Sequence, residues 1–241
     1  MFAAIVHDAW RQYRRRPLAA AVSLAVGVAP LAVQPHGEVL QAVVVGALLV
    51  PTLLSELFLF AYLAGALAPV PLPVSGALAA MRRAVLPAAR AWLLKLVYLL
   101  PAWLVGLLLL GAPDSARLTQ AQQQRFSVGL IPLLGFALAF LVALIPRIVL
   151  DGERRVLAVL PAAHRVAASN FPICLLIGCY QAIGLLIPSV LGSQAALAAL
   201  AVILALADPF MMGMTNGLYL RTRALHAAEP QPRPSDHDQW P

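Results

Sequence analysis

The hexapeptide AVLPAA stands at Ala84–Ala89 and again at Ala158–Ala163, each time just after an arginine pair, Arg82-Arg83 and Arg154-Arg155. A third cluster, Arg14-Arg15-Arg16, runs into Pro17-Leu18-Ala19-Ala20. A long apolar run comes after each of the three. Basic residues placed between apolar runs are the mark of membrane spans whose ends face the cytoplasm. Reading these three stretches that way decides the fold.

Composition agrees. Of 241 residues, 61% are hydrophobic and 11% charged, with a mean hydropathy of +0.84. A soluble domain carries about 25% charged residues. The chain therefore has too little polar surface to coat itself in water, and lipid must be the solvent for much of its outside. The net charge of +7 is spread over the connections between apolar runs and forms no separate basic domain. It reads as topology signal and headgroup contact, and no nucleic-acid partner is expected.

Crossing about 30 Å of hydrocarbon takes about 20 mostly apolar residues. Six segments qualify, near 18–34, 40–64, 91–111, 127–150, 171–191 and 195–220. An all-α polytopic membrane domain over residues 1–226 is expected, followed by a Pro-rich polar tail, 227–241, that is read as a disordered cytoplasmic end. Arg11, Arg14, Arg15, Arg16, Arg82, Arg83, Arg90, Lys95, Arg147, Arg154, Arg155, Arg165, Arg221, Arg223 and Arg233 lie on one side of this topology. Only Arg117 and Arg125 lie on the other. The bias puts both termini in the cytoplasm, and a bacterial inner membrane is the expected location. An arginine-led apolar start also suits an export leader, but five further spans favour a retained anchor.

The proline after each basic stretch suggests a corner. The segments FAAIVHDAWRQYRRR, GALAAMRRAVL and GERRVLAVL mix apolar and basic residues. In the first, Phe2, Ile5, Val6 and Trp10 share a helical face, away from Asp8, Arg11 and Arg15. Such helices suit the headgroup plane, arginines towards phosphate. Proline is tolerated in the first turn of a helix, so Pro17, Pro87 and Pro161 are expected where an interfacial helix turns into a span. Three same-facing hairpin units, starting near residues 2, 75 and 154, would then form a parallel repeat.

Charged and polar groups inside a membrane mark candidate sites. Asp208 lies in span six and precedes Pro209. Asp208, Met212 and Thr215 fall on one helical stripe with Asn216 at its edge, and Gly213 and Gly217 form a GxxxG on the opposite side. Gln181, beside Tyr180 in span five, is a candidate partner of Asp208. Glu56 in span two could pair with Lys95 or Arg147, which could otherwise snorkel to the interface. Asp208, Asn216, Thr215, Gln181 and Glu56 are thus the candidate intramembrane site, and each also has a structural reading as an interhelical contact. The candidate headgroup contacts are Arg14, Arg15, Arg16, Arg82, Arg83, Arg154 and Arg155.

No catalytic residue can be nominated. HExxH, a nucleophile-elbow serine motif and a P-loop are missing from the sequence. Cys174 and Cys179 sit five apart, about 140° from each other on a helix, and the five histidines are scattered, so neither a disulfide, a metal site nor a cofactor is expected.

Three stretches, AWRQYRRRP at Ala9–Pro17, the basic amphipathic segment running into Asn170-Phe171-Pro172, and DPFMMGMTNGLYLRTR at Asp208–Arg223, resemble a broad group of bacterial six-helix membrane proteins. These are related to the membrane domain attached to some glycerophosphodiester phosphodiesterases. The resemblance covers nearly the whole chain. The phosphodiesterase catalytic domain has no counterpart here, so the resemblance implies a membrane-embedded, lipid-related module and carries over no catalytic residue. The expected function is that of a non-enzymatic scaffold or accessory module, with anionic lipid headgroups and membrane proteins as partners. A small transporter or permease subunit built around Asp208 is the alternative, and a lipid-modifying enzyme the second.

Overall fold

A computed structural model describes residues 1–29, 38–68, 70–110, 119–139, 144–153, 155–186, 191 and 193–228. Among these the regular elements are all helices: α1 Phe2–Arg15, α2 Pro17–Val28, α3 Glu38–Ala64, α4 Val74–Leu110, α5 Gln120–Ala139, α6 Leu144–Leu150, α7 Val156–Ser169, α8 Phe171–Leu186 and α9 Gln194–Ala228. Arg154 lies outside the described residues. The Lys95 side chain does too, although its backbone runs in α4. Of the expected tail, Ala227 and Ala228 continue α9 and the remainder lies outside the described residues.

By length and apolar character two stretches of the described chain can cross a membrane, Gln124–Leu150, which takes in α5 and α6, and Gln194–Leu225 in α9. A third path is open if α7 and α8 count as one broken span, but they are bent against each other by 112°. Pro17–Val28 and Val50–Ala64 are shorter apolar helices.

Helix starts obey local chemistry. Thr119 opens α5 with half of a capping box: its backbone N–H donates to Gln122 Oε1 at 3.0 Å, and its hydroxyl donates to the same oxygen at 3.0 Å. Ser193 caps α9 by accepting the Ala196 amide at 3.1 Å. At the end of α6, Gly152 takes φ +109°, and the amides of Gly152 and Glu153 reach back to Val149 and Ile148 carbonyls at 3.1 and 3.4 Å. This is a glycine-dependent helix stop. A Cβ at Gly152 would meet nothing within 4 Å. Gly152→Ala is nevertheless expected to cost about 1–2 kcal/mol through backbone conformation alone, read as a lower thermal midpoint in detergent.

Only one of the three expected proline corners is a corner. Arg16 leaves the helical region (φ −132°, ψ 61°) and Pro17 begins α2. Pro87 and Pro161 lie instead inside α4 and α7, which continue through them. A proline removes one hydrogen bond, whereas breaking a helix in an apolar setting strands several backbone groups at several kcal/mol each. The second corner falls at Asn170 (φ −143°, ψ 40°), where polar side chains absorb the break. The Asn170 carbonyl accepts the Ile173 and Cys174 amides at 3.1 and 3.2 Å, and its Nδ2 donates to Thr222 Oγ1 of α9 at 3.1 Å. α1 and α7 are both 14 residues long and both end at such a one-residue break. The two AVLPAA copies therefore lie in helix interiors.

α9 is the organising element. α1, α2 and α3 pack along it, while α5 and α8 form a tight pair that α4 joins to α3. Residues 57–63 of α3, LFLFAYL, are buried on every face, as a helix apolar all round must be. Small residues allow close approaches: Gly27 against Ala205, Gly213 against Ala9, and Gly178 against Gly135 and Ala139. The surface left over is strongly apolar. On α4, Val97, Leu100, Leu104 and Leu108 are 62, 61, 50 and 83% exposed, and on α9 Ile203 is 62% exposed. Leucines at i, i+4 and i+8 turned outwards do not suit water. They make an exposed apolar stripe.

Candidate functional site

Glu56 of α3, Tyr180 and Gln181 of α8, and Asp208 and Thr215 of α9 line one cleft, with Phe60, Ile177, Met211 and Met212. Four of the five expected intramembrane residues thus meet. The cleft is small, about 20 Å³, which is room for one water. The Tyr180 hydroxyl donates to the Leu204 carbonyl at 2.8 Å and lies 3.3 Å from Asp208 Oδ1. Tyr180, the neighbour of Gln181, is thus an α8 side chain that hydrogen-bonds Asp208. Thr215 Oγ1 donates to the Met211 carbonyl at 3.0 Å, an i−4 bond inside α9.

Asn216 turns away from this cleft. It is fully buried, and Nδ2 donates to Gln12 Oε1 at 3.2 Å and to the Phe60 carbonyl at 3.3 Å. Gln12, also fully buried, donates through Nε2 to the Gly213 carbonyl at 3.0 Å and the Asp8 carbonyl at 3.2 Å. These bonds tie α1, α3 and α9 together. Asn216 Oδ1 is buried without a hydrogen-bond partner among the described residues. The GxxxG of α9 lies against α1, since a Cβ at Gly213 would be 3.1 Å from Ala9 Cα and one at Gly217 3.5 Å from Asp8 Cβ. Ile5, Ala9 and Gln12 are accordingly the buried face of α1, while Phe2 and Trp10 stay exposed. Trp10 stacks on Tyr13 at 5.9 Å.

Arg147 does not reach for Glu56. It stands 3.8 Å from Asp151 one turn on, and its guanidinium sits over the Tyr219 ring at 5.4 Å. Asp151 also accepts from Tyr219 at 3.0 Å and from Arg223. Arg147 Nε is buried without a hydrogen-bond partner among the described residues. On the other flank of α9, Arg221 pairs with Asp8 at 2.7 Å. The last turns of α9 thus collect α1 through Asp8, the α6–α7 turn through Asp151, and the α7–α8 corner through Asn170.

The expected headgroup arginines divide in two. Arg16 is buried; it donates to the Leu72 carbonyl at 2.9 Å and lies over the Tyr62 ring at 4.3 Å. Arg15, more exposed, reaches the Ala66 carbonyl at 3.4 Å. Both brace the end of α3 and the connection from α3 to α4. Arg14, Arg82, Arg83 and Arg155 are exposed. Arg155 precedes α7, and its backbone amide donates to Glu153 Oε1 at 2.8 Å.

Sequence reasoning did not find Gln12, Asp151 or Tyr219. A glutamine among the basic residues of α1 carried no periodic signal, and Asp151 lay in what read as a plain connection. The Thr119–Gln122 contact has a sequence signal, T-x-x-Q. No protein-family model, curated protein or solved structure matches the chain.

Proposed function

We propose that the chain is a six-span inner-membrane module with both termini in the cytoplasm, acting as a scaffold or accessory protein that holds anionic lipid headgroups and membrane partners. The observation that carries this reading is the division of the surface. Outward leucines and valines form a stripe on α4, and Arg11, Arg14, Arg82, Arg83, Arg90 and Arg155 are exposed. α1 adds exposed Phe2 and Trp10, side chains suited to the headgroup boundary. A lipid-related module is also what the resemblance to the membrane domains of glycerophosphodiester phosphodiesterases implies.

The topology is tested by single cysteines at Arg82→Cys, Arg155→Cys and Gln122→Cys, labelled in intact cells with a membrane-impermeant maleimide. Only Gln122→Cys is expected to react. Labelling of Arg82→Cys or Arg155→Cys from outside overturns the reading. For partner chemistry, the purified protein is expected to retain phosphatidylglycerol over phosphatidylcholine when extracted from mixed vesicles, and the preference is expected to weaken with salt.

A second reading rests on the cleft that gathers Glu56, Gln181, Asp208 and Thr215. Its size suits a proton or a single water and not an organic solute. In this reading the chain passes protons at Asp208. Asp208→Asn is expected to change stability by less than about 1 kcal/mol. Proton entry into sealed vesicles decides the matter: equal rates for wild type and Asp208→Asn remove this reading.

A further inference from the structure

A second cavity opens between α4 and the α6–α7 turn. It has a volume of about 170 Å³ and is lined by Ala80, Arg83, Ala84, Pro87, Val149, Leu150 and Gly152. That is room for several waters or one compact headgroup. Arg83, Ala84 and Pro87 belong to, or immediately precede, the first AVLPAA copy.

Among the described residues the lining carries one cation and no carboxylate. Arg83 Nε is held by the Ala79 carbonyl at 3.3 Å, which orients the guanidinium and leaves its terminal nitrogens without a partner among the described residues. The two acids that flank Gly152 are engaged elsewhere, Asp151 with Arg147, Tyr219 and Arg223, and Glu153 with the Arg155 amide. Pro87 has no amide hydrogen to give the Arg83 carbonyl, its ordinary i−4 acceptor. The cavity therefore offers a forked donor for a phosphate.

We infer that this cavity binds the phosphate of an anionic phospholipid headgroup, with the Arg83 guanidinium on the phosphate. The inference rests on the lipid-module reading above and narrows it to one site. In it the interior proline of the first AVLPAA stretch lines a ligand site and makes no corner.

Native mass spectrometry of the full chain, extracted from vesicles of equal phosphatidylglycerol and phosphatidylcholine, tests it. Arg83→Gln is expected to lower retained phosphatidylglycerol about tenfold, the weight of one charge-assisted contact. Ala80→Leu, which fills the cavity and leaves the charge unchanged, is expected to do the same. Arg165→Gln serves as the matched control, because Arg165 is likewise exposed and bonded through Nε to a carbonyl one turn back. It is expected to change retention less than twofold. Equal losses from Arg83→Gln and Arg165→Gln would leave a general preference for anionic lipid standing and overturn the site. No preference for phosphatidylglycerol in the wild type would overturn the broader reading and the site together. Displacement of the lipid by millimolar glycerol 3-phosphate, lost in Arg83→Gln, would show that the ligand is a soluble phosphate ester and overturn the lipid as occupant.

Discussion

Gly178→Leu is expected to cost the protein about 3 kcal/mol or more, enough to lower its thermal midpoint by about 10 °C and to broaden its elution in detergent. The reason is backbone against backbone. A Cβ at Gly178 would sit 2.3 Å from the Gly135 carbonyl oxygen and 2.9 Å from the Ala139 amide nitrogen. No rotamer relieves such contacts, so α5 and α8 must move apart, and with them the most extensive helix pairing in the fold. In lipid, helices are held by close packing rather than by exclusion of water, so a forced separation loses much of what joins them. Gly184→Ala, on the same helix, is the control. Its Cβ would meet only Leu204 Cδ1, at 3.9 Å. It is expected to be neutral, or stabilising by a few tenths of a kcal/mol through helix propensity. Equal losses at the two positions would show that α5 and α8 do not cross at Gly135 and Gly178.

Asn216→Leu is expected to lower stability by about 2–3 kcal/mol, because it leaves Gln12 Oε1 buried without its donor. The same change removes the bond to the Phe60 carbonyl. Gln12→Met strands Asn216 in the same way. Stranding one polar group costs more than replacing both by apolar groups of like shape. The double variant Gln12→Met/Asn216→Leu is therefore expected to lose less than the sum of the singles by about 1 kcal/mol. Thermal midpoints of the four proteins in one detergent measure the coupling. Strict additivity would separate Gln12 from Asn216 and remove the link between α1 and α9. If α1 only lay on the membrane, beside the bundle, Gln12→Met would have almost no effect.

Helix positions were legible where an apolar run has definite ends. The expected 40–64 became α3 at Glu38–Ala64, and the starts near 171 and 195 became Phe171 and Gln194. Corners were legible only in part. Pro17 agrees with the rule that proline suits a first turn, but Pro87 and Pro161 stay inside helices because opening a helix strands more backbone groups than one proline does. The Asn170 corner depends on Thr222, 52 residues away, and no local pattern announces that partner. The side chains of the polar stripe show the same divide. Spacing placed Asp208 and Thr215 on one face of α9, whereas Asn216, one residue beyond Thr215, answers to Gln12 from the other end of the chain.

Composition and the order of apolar and basic runs by themselves determined an all-helical protein suited to lipid, since hydropathy and arginine placement are sums over neighbours in sequence. Which arginines face outwards was decided by the tertiary structure alone. Arg14 and Arg16 stand two apart in one cluster, yet Arg14 is exposed and Arg16 ends on the Leu72 carbonyl beneath Tyr62. A buried guanidinium needs acceptors already in place around it, and those come from segments distant in sequence that only folding brings together.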